Sequence, residues 1–245
     1  MRLGGFDFTP GLWPTLATIV LVPILVSLGV WQLERAAWKQ ALVDEHAEHI
    51  RQSPLALADW LTSADRPQYR RVTARGRYDL DHQLLLDNSI HQGRAGYHVL
   101  TPLVLADPAE TVLVNRGWVP VGPSRMELPA LPGPEGVVNV RALVTYPPGK
   151  RLRLDSVEEP HAGWPRVVQL IEPGVLEQQL GYELLPVVLL LEADAAHGFA
   201  REWRPVYGTT PDKHRAYAMQ WFTLAAVLAL IYFGVNTRRV SNEHE

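Results

Sequence analysis

The sequence predicts a membrane protein: two antiparallel transmembrane helices bracket a β-rich extramembrane domain, mainly antiparallel sheet or a partly open barrel, with short helices. Three observations carry this. Thr9 to Leu33 and Ala216 to Thr237 contain no charged residue. Each run is long enough for a helix, since about 20 apolar residues cross roughly 30 Å of hydrocarbon. Between them the pattern changes to short runs rich in Val, Leu, Tyr and Thr, separated by Gly, Pro, Asn and Asp.

The first transmembrane helix is placed at 12–33. It is too long for a signal peptide, its leading segment carries only Arg2, and "VWQLERAAW" offers no small-x-small cleavage site, so it reads as an uncleaved anchor. Pro23 sits mid-span, where a kink is tolerated if a neighbouring helix covers the freed carbonyl. The extramembrane domain follows at 34–212. Its first part, "ERAAWKQALVDEHAEHIRQ", continues the helix, with Leu33, Trp38, Leu42 and Ile50 as an apolar stripe. Ser53 and Pro54 then read as N-cap and first residue of a short helix, "PLALADWL".

About seven strands follow: "YRRVTARGRYDL", "HQLLLDN", "YHVLTPLVL", "TVLVNRGWVP", "GVVNVRALVTY", "PRVVQLIE" and "ELLPVVLLLEA". Their spacing favours an antiparallel sheet or barrel over βαβ units. "EPGVLEQQLG" between the last two is a short helix ending at Gly181. Thr210 as N-cap and Pro211 as first residue open the last helix, whose transmembrane part is 213–235, before a short tail at 236–245. Arg2, Arg238 and Arg239 flank the spans on one side, and Arg35, Lys39, Lys213 and Arg215 on the other, so charge alone leaves the orientation open.

Composition removes several functions. A net charge of −3 supplies no basic field, so no nucleic acid partner is expected. The absence of Cys excludes disulfides, thiolate metal sites, a Cys nucleophile and covalent c-type haem attachment. There is no GxSxG, Walker or GxGxxG motif, and no catalytic constellation, so an enzyme is not expected. His46 and His49, among Asp44, Glu45 and Glu48, have a spacing that can hold a metal but read more simply as a solvated acidic helix face.

Two places carry more specific chemistry. In "VLVNRGWVP", Arg116 and Trp118 are either a strand end with a Trp covering the sheet or a partner-binding edge, since Arg and Trp are enriched at interface hot spots. In the last helix, His214 lies near the start, and Tyr217 and Trp221 continue its face. An aromatic belt at the lipid headgroups accounts for Tyr217, Trp221, Trp31 and Trp38, but not for Gln220 or His214. Trp31, Gln32 and Arg35 on the first helix fall at the same depth, which makes a Gln32–Gln220 contact a packing expectation. The functional alternative is one pocket lined by both helix mouths, aromatic and apolar below and cationic above.

"LGVWQLERAAWK" (28–39), "GRAGYHVLTPL" (93–103), "VLVNRGWVP" (112–120) and "HRAYAMQWF" (214–222), with two terminal spans around a β-rich domain, resemble the SURF1 family of cytochrome c oxidase biogenesis proteins. The resemblance implies an assembly factor of a bacterial inner membrane, with the domain periplasmic and both termini cytoplasmic. The short termini without an Arg/Ser-rich leader favour a bacterial protein over a mitochondrial precursor. It implies transient binding of haem a and aid in its insertion into oxidase subunit I, with His214 as candidate axial ligand to the iron. Tyr217, Gln220, Trp221, Trp31, Gln32 and Arg35 would line that cofactor site. The implied partners are subunit I, haem a synthase and the lipid bilayer. The alternative is a scaffold that binds no haem and stabilises subunit I during assembly.

Overall fold

The computed structural model describes residues 2–3, 6–107, 109–125, 127–147, 163–203 and 208–239. They form two compact units, one from the two ends of the chain (Met1–Asp44 and Val206–Glu245) and one from the stretch between (Glu45–Pro205). The elements begin with β1 (Arg2–Leu3), β2 (Phe6–Phe8), α1 (Leu12–Arg51), β3 (Leu55–Ala56) and α2 (Leu57–Thr62). Next come β4 (Arg71–Tyr78), β5 (Leu84–His91), β6 (Arg94–Leu105), β7 (Thr111–Pro120) and β8 (Val137–Thr145). The order closes with β9 (Arg166–Val168), α3 (Pro173–Leu180), β10 (Val188–Leu191), α4 (Pro211–Asn236) and β11 (Thr237–Arg239).

In the first unit, α1 and α4 are both long and apolar enough to cross a membrane. Most of their large apolar side chains face outward, among them Trp13, Ile19, Ile24, Leu230 and Phe233. α1 runs unbroken through Pro23, 40 residues in all. α4 starts as its sequence indicates, with the Thr210 hydroxyl accepting from Lys213 N and Pro211 in the first turn. The helices are antiparallel: Gly11 meets Asn236, Thr15 meets Tyr232, Gly29 meets Phe222 and Gln32 meets His214. The buried line along α1 therefore passes through Gly29 and Ala36, while Leu33 and Trp38 of the expected stripe stay exposed. Small residues win the interface because they let backbones approach. Below the helices β2 pairs with both β1 and β11, so strands from the two ends of the chain form one small sheet.

The second unit is a closed barrel of five strands in the order β4-β8-β10-β7-β6, with β6 pairing back to β4 through Gly76↔Leu105 to Tyr78↔Leu103. All seven sequence-predicted strands are present, but the barrel is closed where a partly open one was among the expectations. One neighbour pair is parallel: β10 lies along β7 from Val188↔Leu113 to Leu190↔Asn115, and antiparallel to β8 on its other side. The excursion through β9 and α3 supplies the long crossover that a parallel pair requires. β5 extends the sheet from β6, β9 runs parallel to β5, and β3 runs parallel to the start of β4.

Burial follows this geometry. β4 alternates, with Val72, Ala74 and Tyr78 turned into the barrel. β7 and β10 do not alternate, because both faces are covered. Val112, Val114, Leu189 and Leu191 fill the barrel, while Leu113 and Val188 pack with Leu176 and Leu180 of α3. α3 ends at Gly181 in the left-handed conformation, as the sequence indicates. The helix expected from Ser53 begins later. Leu55 and Ala56 instead add a short strand to β4, and α2 starts at Leu57 without a side-chain cap. Backbone pairing there outweighs the cap, and it lets Trp60 reach the barrel core, where it is 1 % exposed.

Arg116 follows Val112 and Val114 on β7 and is itself 1 % exposed. Its guanidinium lies against the rings of Tyr78 and Phe199, at 5.3 and 5.0 Å. Nε and one terminal nitrogen donate to His197 O, the same nitrogen donates to Pro132 O, and the other donates to Gln83 Oε1 at 3.1 Å. Among the described residues it has no carboxylate partner. Burial pushes the Arg116 guanidinium down from its ordinary value and the Tyr78 phenol up to about 12. Replacing Arg116 by Leu strands these acceptors without water. The expected cost is about 3–5 kcal/mol, read as a lowered midpoint in urea unfolding of the full chain. A change below about 1 kcal/mol would show that the acceptors find other donors.

His98 on β6 packs against Trp203, with ring centroids 5.6 Å apart. Burial pushes its imidazole below the ordinary value of 6.5, opposed by hydrogen bonds with Asn115 and Gly117. An unfolded chain therefore binds a proton at a pH where the folded one does not. Stability falls as pH drops below 6.5 towards the depressed value. Thermal midpoints measured at pH 7.5 and 5.5 should differ more for the native sequence than for His98→Asn.

Candidate functional site

The helix pair of the first unit carries few polar side chains, and several of them bear on how the helices meet. Threonine hydroxyls near the Gly11 end are satisfied within α1: Thr15 donates to Gly11 O and Thr18 to Pro14 O. Thr15 also meets the Tyr232 hydroxyl at 2.9 Å, and Asn236 Oδ1 accepts from Gly11 N. Near the other end, His214 Nδ1 and Gln32 Oε1 lie 2.6 Å apart. An amide oxygen carries no hydrogen, so Nδ1 is the donor. From Thr15 to Gln32 the rise along α1 is roughly 26 Å, close to the thickness of a hydrocarbon core. The two polar cross-links thus sit at opposite ends of an apolar stretch.

His214 is 9 % exposed, the most buried ionisable side chain of α4. It shares the inward side of α4 with Ala218 and Ala225, which are buried, and with Trp221 and Phe222, which are half-buried. Next to His214 on α4, Arg215 donates to Gln40 Oε1 at 3.3 Å and to Asp212 at 2.7 Å. On α1, Gly29 lies against Phe222 so closely that a Cβ there would stand 2.6 Å from the ring. That contact sets how near the helices come just below the His214–Gln32 pair.

The remaining expected site residues are distributed around this pair. Gln32 is half-buried and faces His214. Gln220 is exposed on the outer side of α4, so the Gln32–Gln220 contact is replaced by Gln32–His214. Six residues at about 100° each carry Gln220 well away from the face of His214. Trp31 and Tyr217 are half-exposed, at 53 % and 49 %, on the outward flanks. Arg35 stacks over the Trp38 ring at 4.4 Å, and Lys39 lies 5.1 Å from the same ring. Gly29, Ala36, Gln40 and Phe222 were missed as interface residues. The signal was present: Gly29 and Ala36, like Ala218 and Ala225, are small residues seven apart.

Arg116 and Trp118 lie elsewhere, in the second unit, and neither offers an exposed partner-binding edge. Arg116 is held within the barrel, and Trp118, 7 % exposed, donates its indole N–H to Ser89 O. His46 packs on Tyr69 with ring centroids 4.5 Å apart, and His49 Nδ1 lies 3.1 Å from Gln68 O. Among the described residues no group of three or more His, Cys, Asp or Glu is arranged to hold a metal ion. A single imidazole at the helix pair is a different kind of donor, suited to one axial position on a metal already held by another framework.

A family model described as the SURF1 family matches residues 19–226, which include α1 from Ile19, the whole barrel and α4 through Ala226. A SURF1-like protein of Drosophila melanogaster is 28 % identical over 91 % of this chain and 77 % of its own length. Surfeit locus protein 1 of Takifugu rubripes is 25 % identical over 91 % of this chain and 97 % of its own.

The tight seat of Gly29 has a measurable consequence. Gly29→Leu should overpack the seam against Phe222 and lower the stability of the helix pair by about 1–3 kcal/mol. Thermal unfolding in detergent reads this loss, and adding Phe222→Ala should recover part of it.

Proposed function

The chain belongs to the SURF1 family, and from that premise we propose that it is a membrane-bound, non-catalytic factor for the biogenesis of cytochrome c oxidase. In this reading it binds haem a transiently at the helix pair and aids its insertion into subunit I. α1 and α4 cross a bacterial inner membrane, the barrel domain lies on the periplasmic side and both ends of the chain are cytoplasmic. Haem a synthase and subunit I are the partners on either side of the transfer.

The observation that carries the haem reading is the state of His214. It is the one imidazole set into the apolar helix pair, Nδ1 is occupied by Gln32, and among the described residues nothing hydrogen-bonds Nε2. A ring nitrogen held this way is suited to an axial position, as metal-bound histidines usually donate their second N–H to an acceptor. The surroundings suit the rest of haem a. Trp221, Phe222, Tyr217 and Trp31 offer aromatic surface for a macrocycle and its isoprenoid tail, and Arg35, Lys39 and Arg215 offer cations for the propionates. When bound, the iron supplies a coordination site that the imidazole can hold and later release. The protein's own share is to present the imidazole, keep water from it and leave a lipid-side route for the tail.

The runner-up is a scaffold that steadies subunit I without haem. It draws on the same hydrogen bond, read purely as helix packing. Protein purified from cells making haem a should show a Soret band, and His214→Ala should lose it by tenfold or more. Full haem occupancy in the alanine variant would remove His214 as ligand. Co-purification of subunit I with a protein that has no Soret absorbance would favour the scaffold.

A further inference from the structure

We propose that Gln32 is a positioning residue for His214: its side-chain oxygen fixes the imidazole as the Nδ1–H tautomer and so presents the Nε2 lone pair as the ligating atom. This rests on the haem reading above.

The geometry is specific. The 2.6 Å contact joins residues 182 apart in sequence, on different helices. The acceptor is an oxygen without hydrogen, which leaves Nδ1 as the only place for the shared proton. In neutral imidazole the other nitrogen then carries the lone pair, and which nitrogen is free is set by the bond the first one makes. His214 is 9 % exposed and Gln32 half-buried, so water's access to the bond is restricted and it is held more firmly than at an open surface.

Gln32 is itself held. Gly29 seats Phe222 one turn away on one side, Ala36 is 2 % exposed one turn away on the other, and Gln40 accepts from Arg215 one turn beyond that. The amide therefore cannot drift along the helix without disturbing three further contacts. Gln220, the one glutamine of α4, is exposed and offers His214 nothing. Ligand and orienting partner thus come from different helices. The donor nitrogen is prepared only when α1 and α4 are packed together.

The test has two readouts. Full-length protein labelled with 15N-histidine is placed in lipid nanodiscs without haem, and the His214 signals are identified by their loss in His214→Ala. Nitrogen shifts and one-bond couplings report which ring nitrogen is protonated. The native protein should show protonated Nδ1, Gln32→Glu should keep it, and Gln32→Leu should release the ring to the Nε2–H or a mixed state. Haem a is then titrated into each. Gln32→Leu should bind about 10- to 100-fold more weakly and Gln32→Glu should bind at least as well as the native protein. Protonated Nε2 in the native protein, or an unchanged tautomer in Gln32→Leu, overturns the positioning role and leaves His214 free to be the ligand. Undiminished haem affinity in His214→Ala overturns the ligand reading instead, and this role of Gln32 with it. Should Gln32→Leu fail to fold, the Gln32→Glu variant and the native tautomer still decide the matter.

Discussion

A polar group buried between two apolar helices must find its hydrogen-bond partner inside the pair, because close-packed apolar side chains supply none. That requirement organises α1 and α4. Asn236 reaches Gly11, Tyr232 reaches Thr15, and His214 reaches Gln32. Between these contacts the seam is built of small residues and one fitted ring, which permit the approach without directing it. Packing brings the helices together, and the polar pairs fix their register. A slide by one turn would part all three at once.

The barrel solves the same problem differently. Its interior is apolar, with Trp60 and Tyr78 among aliphatic side chains, and among the described residues Arg116 meets only uncharged acceptors. With no carboxylate bonded to it among the described residues, the guanidinium satisfies its N–H groups on the Gln83 amide oxygen and on backbone carbonyls, so it ties β7 to the loops around Pro132 and His197. The His197 loop is also bridged to β7 through its backbone, where Trp118 pairs with Ala200, and the Pro132 loop is also held by Gln83, which donates to Leu131 O. A residue that the sequence leaves between a strand end and a partner-binding edge is an internal brace.

Much of this was legible beforehand because it is local. The alternation in "RVTARGRY" gives β4, the Thr210–Pro211 pair gives the start of α4, and Gly181 gives the end of α3. What escaped depends on long-range geometry. β10 carries a run of Val and Leu without alternation, and nothing nearby says it enters between β8 and β7 to close a barrel. The Ser53–Pro54 cap signal was outweighed by a strand pairing to residues well downstream. At the site, the sequence made Gln32 and His214 separately conspicuous but matched Gln32 to the wrong amide. Helical depth was readable, whereas angular position needed the small-residue spacing that marks the seam. Arg116 failed for the same reason: the parity of β7 says which residues share a face, not which face is inside.

The separation of 182 residues between Gln32 and His214 also sets an order of events. During synthesis α1 emerges first and then waits while every strand of the barrel is made. The imidazole follows after all of them. A chain stalled or cut anywhere in the barrel carries Gln32 but no histidine opposite it. Only a chain translated past the barrel can hold both, so the Gln32–His214 bond forms late and serves as a certificate of completion for everything encoded before it.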